Sequence, residues 1–117
     1  MSKIERGIEI KGHKGYWISS YGRVFNEKTG NPLLGYIHRS KHGGYWRVQI
    51  EKKRYMIHNL VAQAFLKRPG SEFNIVDHWD GNTFNNNLYN LEYVTQSENM
   101  KRWHERRKMQ IPNRGKS

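Results

Sequence analysis

Short runs of alternating apolar and polar residues, broken by turn residues, fill the first half of the chain. From residue 16 to residue 58 this pattern of period two is typical of antiparallel strands. Over residues 45–50 it places Trp46, Val48 and Ile50 on one face of a strand, and residues 51–53 are predicted to form a hairpin turn. The pattern therefore predicts a small antiparallel sheet with one aromatic and aliphatic face and one cationic face.

Helical spacing replaces this alternation after residue 58. Residues 59–67 are predicted to form a short helix, in which Val61 and Phe65 lie one turn apart and make an apolar pair. Pro69 and Gly70 are expected to end this helix, because both residues disfavour its continuation. The sheet is thus expected to lead directly into a helix.

A second and more polar helix is predicted over residues 96–108. Thr95 can accept a hydrogen bond from the amide of Glu98, and the Glu98 side chain can reach back to Thr95, which makes a capping box. The helix is expected to end before Pro112 and to leave a basic, disordered tail over residues 111–117. Sheet and helices together predict an α+β fold.

The charge distribution suggests the kind of partner that this fold binds. The chain has 21 Lys and Arg against 10 Asp and Glu, a formal charge of +11, and such an excess favours polyanions. Residues 1–56 hold 12 basic and 4 acidic residues (+8), residues 57–100 hold 2 and 5 (−3), and residues 101–117 hold 7 and 1 (+6). An acidic segment between two basic ones fits a metal-dependent nuclease. The alternative is that these acids are ordinary surface residues or caps.

Composition also excludes several classes of protein. The chain has no cysteine, which excludes disulfides and cysteine-bound zinc. No apolar run approaches the roughly 20 residues that span a bilayer, and the N-terminus lacks the apolar segment of a signal peptide. We therefore expect a soluble, cytoplasmic protein that does not bind membranes.

The most informative pair of residues is Asp77-His78, which follows a short apolar run and precedes an asparagine-rich loop. Residues 90–95 are predicted to return as a strand before the second helix. Adjacent side chains of a strand point to opposite sides, so His78 is better placed as a general base than as a second ligand to an ion that Asp77 binds. Oxygen donors such as the Asp77 carboxylate and the Asn99 amide suit Mg²⁺ or Mn²⁺.

This succession of strand, loop, strand and helix resembles the HNH endonucleases, specifically the H-N-N variant found among phage and intron-encoded homing enzymes. Residues 16–24 resemble the DNA-binding module that precedes the nuclease motif in that group, and residues 58–65 resemble the helix that leads into the motif. The resemblance implies a β-rich DNA-binding lobe over residues 1–57 and a ββα-metal nuclease lobe over residues 58–110. It also implies a location in a bacterial or phage-infected cell.

The resemblance further implies the roles of individual residues. His78 would be the general base, and Asn90 would brace the loop and help to orient His78. Asp77 and Asn99 would bind one divalent ion, Mg²⁺ or Mn²⁺; many family members have His at the position of Asn99, and Asn is typical of the homing subgroup. The implied function is hydrolysis of phosphodiester bonds in double-stranded DNA. A single active site favours a monomer that nicks, unless two chains assemble into a dimer that cuts both strands.

Basic side chains at both ends of the chain are the candidates for DNA contact. On the second helix, Arg102 and Arg106 are expected to flank the metal site, while Met100 and Trp103 are expected to pack inward. In the N-terminal sheet the residues expected to follow the DNA backbone are Arg23, Arg39, Lys41, Arg47, Lys52, Lys53 and Arg54. The alternatives are a solvated basic helix and an ordinary sheet surface.

Several residues and the chain as a whole have other interpretations. Asp80 and the asparagine run at 85–87 are typical turn formers, His58 is expected to make a structural hydrogen bond, and His104 lies about 140° around the helix from Asn99. For the whole chain, the alternatives are a non-catalytic DNA-binding protein that retains the fold and an RNA-directed binding protein or nuclease.

Overall fold

A computed structural model of the chain describes residues 4–40 and 43–115, with residues 108–115 described by their backbone only. The sheet elements and helices, in chain order, are β1 (Gly7–Glu9), β2 (Tyr16–Ser19), β3 (Val24–Asn26), β4 (Pro32–Leu33), β5 (Tyr36–Ser40), β6 (Gly43–Ile50), β7 (Lys53–Met56), α1 (Ile57–Phe65), β8 (Ile75–His78), β9 (Leu91–Val94) and α2 (Gln96–Gly115). The strands form three antiparallel sheets, β1-β2-β3-β4, β5-β6-β7 and β8-β9. The predicted α+β class is confirmed.

Helix α1 packs against all three sheets. It contacts β2 of the first sheet, β6 and β7 of the second, and β8 and β9 of the third. The core joins Ile18 of β2, Val48 of β6, Val61 of α1 and Leu91 of β9 in one cluster of buried side chains. Burying each such side chain contributes about 1.5–3 kcal/mol. One continuous core therefore connects the β-rich N-terminal part of the chain to β8 and β9.

The bounds of α1 differ from the predicted helix over residues 59–67. The helix begins at Ile57 because β7 runs into it without a loop, and it ends at Phe65. The next residue, Leu66, is extended (φ −109°, ψ 149°) and packs against the core. The helix thus ends before Pro69, and the predicted role of Pro69 and Gly70 as its terminators is wrong.

Helix α2 begins where predicted but continues further. The Thr95 hydroxyl accepts from the Glu98 amide at 3.1 Å, as expected for a helix cap. The Glu98 carboxylate accepts from Arg102 at 3.2 Å. The predicted end before Pro112 is wrong, since the helix runs to Gly115. The φ of proline is compatible with a helix. A helix can therefore continue through a proline, although it loses one backbone hydrogen bond there.

A buried histidine connects the first two sheets. His13, in the loop between β1 and β2, has only 6% of its surface exposed. Its Nδ1 lies 2.7 Å from Glu51 Oε1 and its Nε2 lies 2.6 Å from the hydroxyl of Tyr55. Glu51, in the predicted turn between β6 and β7, has a positive φ of 56°. These contacts fix the β6–β7 hairpin against the first sheet.

Candidate active site

Strand β8 places Asp77 and His78 at the edge of an open cleft. The two side chains are 6% and 4% exposed, and Asp77 lies opposite Glu92 of β9. The cleft, of about 810 Å³, is also lined by Asn99 of α2 and His58 of α1. Three of the residues singled out in the sequence, Asp77, His78 and Asn99, therefore line one cleft.

His78 is buried and has a defined hydrogen-bond partner. Its Nε2 lies 2.8 Å from Oδ1 of Asn86, so the ring N–H donates to the amide oxygen and Nδ1 carries the lone pair. Burial lowers the pKa of His78 below its ordinary value, and the hydrogen bond to Asn86 opposes that shift. A neutral imidazole with a free lone pair can accept a proton from water.

Asn86 is the residue that the sequence interpretation missed. It was considered only as a member of a turn-forming asparagine run, but its side chain is 6% exposed and bonds to His78. The sequence does not show which of the three asparagines has a different role, because each of them can cap or close a turn. In the structure Asn85 and Asn87 do accept hydrogen bonds from backbone amides.

Asn90 braces the loop that carries Asn86. Its side-chain amide donates to Asp80 Oδ1 at 3.0 Å and to the Asn85 carbonyl at 2.9 Å, and its Oδ1 accepts from the Asp80 amide at 3.1 Å. Burial raises the pKa of Asp80, but hydrogen bonds from Asn82, Asn85 and Asn90 outweigh it and hold that pKa below its ordinary value. Asp80 is thus a loop residue, and the hydrogen bonds of the Asn90 side chain go to the loop and not to His78.

Two arginines of α2 contact the Asp77 carboxylate. Arg102 donates to Asp77 Oδ2 at 3.0 Å, and Arg106 donates to the same oxygen at 3.2 Å. Arg102 also pairs with Glu92 and Glu98, each within 3.2 Å, so its guanidinium is held by three carboxylates. These pairs fix α2 against the end of β8. They also balance the buried charge of Asp77.

Arg106 also binds the backbone that follows Asp77. Its Nη2 donates to the carbonyl of His78 at 2.8 Å. A Cβ on Gly81 would lie 3.3 Å from the Arg106 side chain, so a glycine there allows the arginine to cross the loop. Arg106 remains 33% exposed, whereas Arg102 is 16% exposed. Of the two predicted DNA contacts on α2, Arg106 is the more accessible.

The donor set of the cleft suits a hard divalent cation. Among the residues that the structure describes, no three His, Cys, Asp or Glu side chains form a metal cluster. A metal site here therefore depends on an amide oxygen beside the Asp77 carboxylate, and Asn99 is half-buried in the same cleft. Carboxylate and amide oxygens with space for water are the donors that such ions accept.

His58 packs beside His78, and the structural hydrogen bond expected of its side chain is absent at Nδ1. This nitrogen is buried and has no partner among the described residues, so that expectation is wrong for this atom. The ring packs instead against those of Tyr45 and His78, with centroid distances of 5.5 and 5.1 Å. Burial, and to a smaller extent the charge of His78, lower the pKa of His58 to about 4. His58 is therefore a neutral packing partner of His78.

Met100 and Trp103 do not pack inward as predicted. Their side chains are 49% and 41% exposed, and both line the cleft. The reason is that α2 packs mainly on β8 and extends away from the core. Trp103 also stacks with Arg107, whose guanidinium carbon lies 4.8 Å from the ring centroid.

The sheet register divides the basic residues that were expected to form one cationic face. Arg47 and Arg54 lie on the same face of the β5-β6-β7 sheet, since Arg54 pairs with Gln49. Arg39 pairs with Gly44 and Lys53 pairs with Ile50, which puts both on the opposite face. The prediction of a single face is therefore wrong.

The remaining basic residues are distributed differently. Lys52 is exposed in the hairpin turn after β6. Arg23 is exposed beside β3 and pairs with Glu5. Lys41 lies outside the described residues. The face with Arg47 is the one that adjoins the active-site cleft, because Tyr45 and Met56 lie on it and line the cleft.

Comparison with known proteins agrees with this geometry. Residues 55–101 match the sequence pattern of the HNH endonucleases. The chain is 40% identical over 88 residues to the uncharacterized HNH endonuclease L245 of Acanthamoeba polyphaga mimivirus, which covers 72% of this chain and 25% of that protein. It is 38% identical over 97 residues to the DNA endonuclease I-HmuI of Bacillus phage SP01, covering 79% of this chain and 53% of the relative.

The solved structure of the HNH homing endonuclease I-HmuI, described for its DNA binding and cleavage, superimposes with a TM-score of 0.72 at 33% identity. The match covers 92% of this chain and 66% of that one. The chain thus spans from a quarter to about half of the length of the curated relatives it matches.

HNH endonucleases generally use a divalent metal ion. No helix within the described residues is both long and apolar enough to cross a membrane. By sequence pattern, relatives and fold, the chain belongs to the HNH endonuclease family.

Proposed function

We propose that this chain is a metal-dependent DNA endonuclease of the homing type that hydrolyses phosphodiester bonds. One observation carries the proposal: Asp77, His78 and Asn99 line the same cleft, with the lone pair of His78 Nδ1 left free by the bond from Nε2 to Asn86. A carboxylate and an amide oxygen that could bind a metal ion, with a base in the same open cleft, are the groups that metal-dependent phosphodiester hydrolysis needs.

In the proposed mechanism, His78 accepts a proton from the attacking water. Asp77 and Asn99 would hold Mg²⁺ or Mn²⁺ through their side-chain oxygens. When bound, such an ion polarises the phosphate and stabilises the departing 3′ oxygen. Asn90 keeps the loop in place through its bonds to Asp80 and Asn85.

For the ion to bind, the Asp77 carboxylate must exchange part of its arginine contacts. Arg106 is the residue that we expect to move, because its contacts to Asp77 are 3.2 and 3.5 Å long and its side chain is partly exposed. Arg102 stays in place through Glu92 and Glu98. The released Arg106 guanidinium is then free to bind a DNA phosphate, which agrees with its expected role in DNA contact.

Duplex DNA is the proposed substrate, and it would follow the sheet face that carries Arg47 and Arg54 into the cleft. That face adjoins the cleft through Tyr45 and Met56. Arg23 and Lys52 are exposed and add positive charge outside this face. The DNA-binding role of residues 1–57, and the location of the protein in a bacterial or phage-infected cell, belong to the same proposal.

The test is cleavage of supercoiled plasmid with Mg²⁺, Mn²⁺ or EDTA. We expect metal-dependent conversion to open circles, loss of cleavage in His78→Ala with DNA affinity retained, and loss of metal-dependent cleavage in Asp77→Ala. His104→Ala is the matched control, because His104 is exposed on α2 and is not among the residues that line the cleft. Linear product would indicate paired active sites.

Three results would contradict the proposal. Cleavage by His78→Ala at the wild-type rate would exclude His78 as the base. Binding of DNA without cleavage under any metal would favour a non-catalytic DNA-binding protein. A preference for RNA over duplex DNA in a competition assay would favour the RNA-directed alternative.

A further inference from the structure

A turn of the N-terminal sheet lies directly against the loop that carries Asn86. This turn, residues 19–23, connects β2 to β3 and is here called the N-terminal turn. The Ser20 carbonyl accepts from the amide of Leu88 at 2.8 Å, and Gly22 donates to the Ser19 carbonyl at 3.0 Å. Ser20 is fully buried. The turn is therefore held by an internal hydrogen bond, and a second hydrogen bond attaches it to the loop that carries Asn86.

Gly22 has no room for a side chain at this contact. Its φ is +86°, and a Cβ would lie 3.0 Å from Asn86 Cβ and 3.1 Å from the Asn86 carbonyl oxygen. Both neighbouring atoms belong to the rigid part of Asn86, so they can move only if the residue is displaced. A side chain at position 22 would therefore push Asn86 away from the turn.

Displacing Asn86 changes the surroundings of His78. The 2.8 Å bond from His78 Nε2 to Asn86 Oδ1 requires the ring proton on Nε2, and it sets the rotation of the ring. Without this acceptor, the neutral ring would divide between its two tautomers, and only one of them has its lone pair on Nδ1.

We propose that the N-terminal turn is a positioning element of the active site: Gly22 lets Asn86 seat against the turn, and Asn86 holds the ring of His78 in the orientation and tautomer that leave Nδ1 free. The proposal rests on the proposed role of His78 as general base. It makes Asn86 and Gly22 positioning residues, because both act through His78 and not on the DNA. It also makes the N-terminal sheet a structural part of the catalytic centre.

The chain offers a matched control for this test. Gly12 has the same φ of +86°, but a Cβ there would meet no described atom within 4 Å. Gly12→Ala therefore imposes the same backbone strain as Gly22→Ala without the contact to Asn86. Any difference between the two variants reports the contact and not the strain.

The first measurement is the ¹⁵N spectrum of the His78 ring at pH 8, without DNA or metal. We expect the Nε2–H tautomer in the wild type and in Gly12→Ala, and a mixture of tautomers in Gly22→Ala and Asn86→Ala. The second measurement is single-turnover cleavage beside DNA affinity. Because a general base contributes about 10²–10⁴-fold, Gly22→Ala should lose about tenfold or more in rate and keep its affinity.

A native tautomer and a rate equal to that of Gly12→Ala would overturn the proposal. If Gly22→Ala does not fold, Asn86→Ala decides alone, since it leaves the turn intact; a retained tautomer in that variant would also overturn it. The ring spectrum needs no cleavage. A shifted tautomer in a protein whose wild type cuts no DNA would therefore refute the proposed function and leave the positioning contact standing.

Discussion

The imidazole rings of His58 and His78 meet edge to face, with centroids 5.1 Å apart and an angle of 72° between their planes. Both rings are buried, and the side chain that bonds to His78 is the neutral amide of Asn86. Two imidazoles this close in a buried site disfavour protonation of either one, and at His78 burial outweighs the opposing charges of Asp77 and Asp80. This pair therefore makes the stability of the fold depend on pH.

The first prediction concerns that dependence. Burial lowers the pKa of His58 from 6.5 to about 4, so protons bind the unfolded chain more tightly than the folded one between these values. The stabilisation is complete above about pH 6.5 and is lost as the pH falls towards 4, by about 3 kcal/mol for His58 alone. Urea unfolding between pH 4 and 7 would measure the free energy of unfolding.

The matched variants for this prediction are His58→Gln and His104→Gln. We expect the pH slope to shrink in His58→Gln and to be unchanged in His104→Gln, since His104 is exposed on α2. Some slope should remain in His58→Gln because burial also lowers the pKa of His78. An equal slope in both variants would show that His58 does not carry the effect.

The second prediction concerns competition between Arg106 and a metal ion for Asp77. Arg106 places a positive charge on the carboxylate, so Arg106→Met should bind Mn²⁺ more tightly. In water, the repulsion between a divalent ion and the single charge of a guanidinium on the order of 6 Å away is about 1.4 kcal/mol. Removing this repulsion should raise the affinity for the ion about tenfold. Electron paramagnetic resonance of free Mn²⁺ measures this directly, with Asp77→Asn as the variant expected not to bind. Weaker binding in Arg106→Met would show that the arginine supports the metal site.

The third prediction concerns the two faces of the β5-β6-β7 sheet. Each phosphate contact contributes about 0.9 to the magnitude of the slope of log affinity against log salt concentration. The double variant Arg47→Gln/Arg54→Gln should therefore reduce that magnitude by about 2. Arg39→Gln with Lys53→Gln, on the opposite face, should change it little. Fluorescence anisotropy with labelled duplex DNA across a salt series would measure the slopes. Equal losses for both pairs would mean that the DNA does not follow one face.

The fourth prediction concerns the brace that Asn90 provides. Its side chain makes three hydrogen bonds within the loop, and each contributes about 1 kcal/mol, so Asn90→Ala should lower the free energy of unfolding by about 2–3 kcal/mol. Asn82→Ala is the matched control in the same loop. Asn82 is exposed and accepts one bond, from the Phe84 amide, and its loss should cost less than about 1 kcal/mol. Similar losses in the two variants would argue against the brace.

Much of the fold could be predicted because its determinants are local. Alternation over residues 45–50 marks β6, and Thr95 caps α2 through the amide only three residues away. The pair Asp77-His78 ends a strand, and Asn99 lies in the first turn of α2. In each case neighbours in sequence are neighbours in space, and the period of the pattern follows from the geometry of strand or helix.

The sequence by itself determined the order of these elements and the residue types that they deliver to the cleft. Only the tertiary structure decided which asparagine contacts His78, that Arg102 and Arg106 both bond to Asp77, and which basic residues share a sheet face. Asn86 lies against the N-terminal turn, and Arg106 contacts Asp77 from 29 positions away. Such contacts depend on how the loop, the sheets and α2 pack together, and no local period in the sequence encodes that packing.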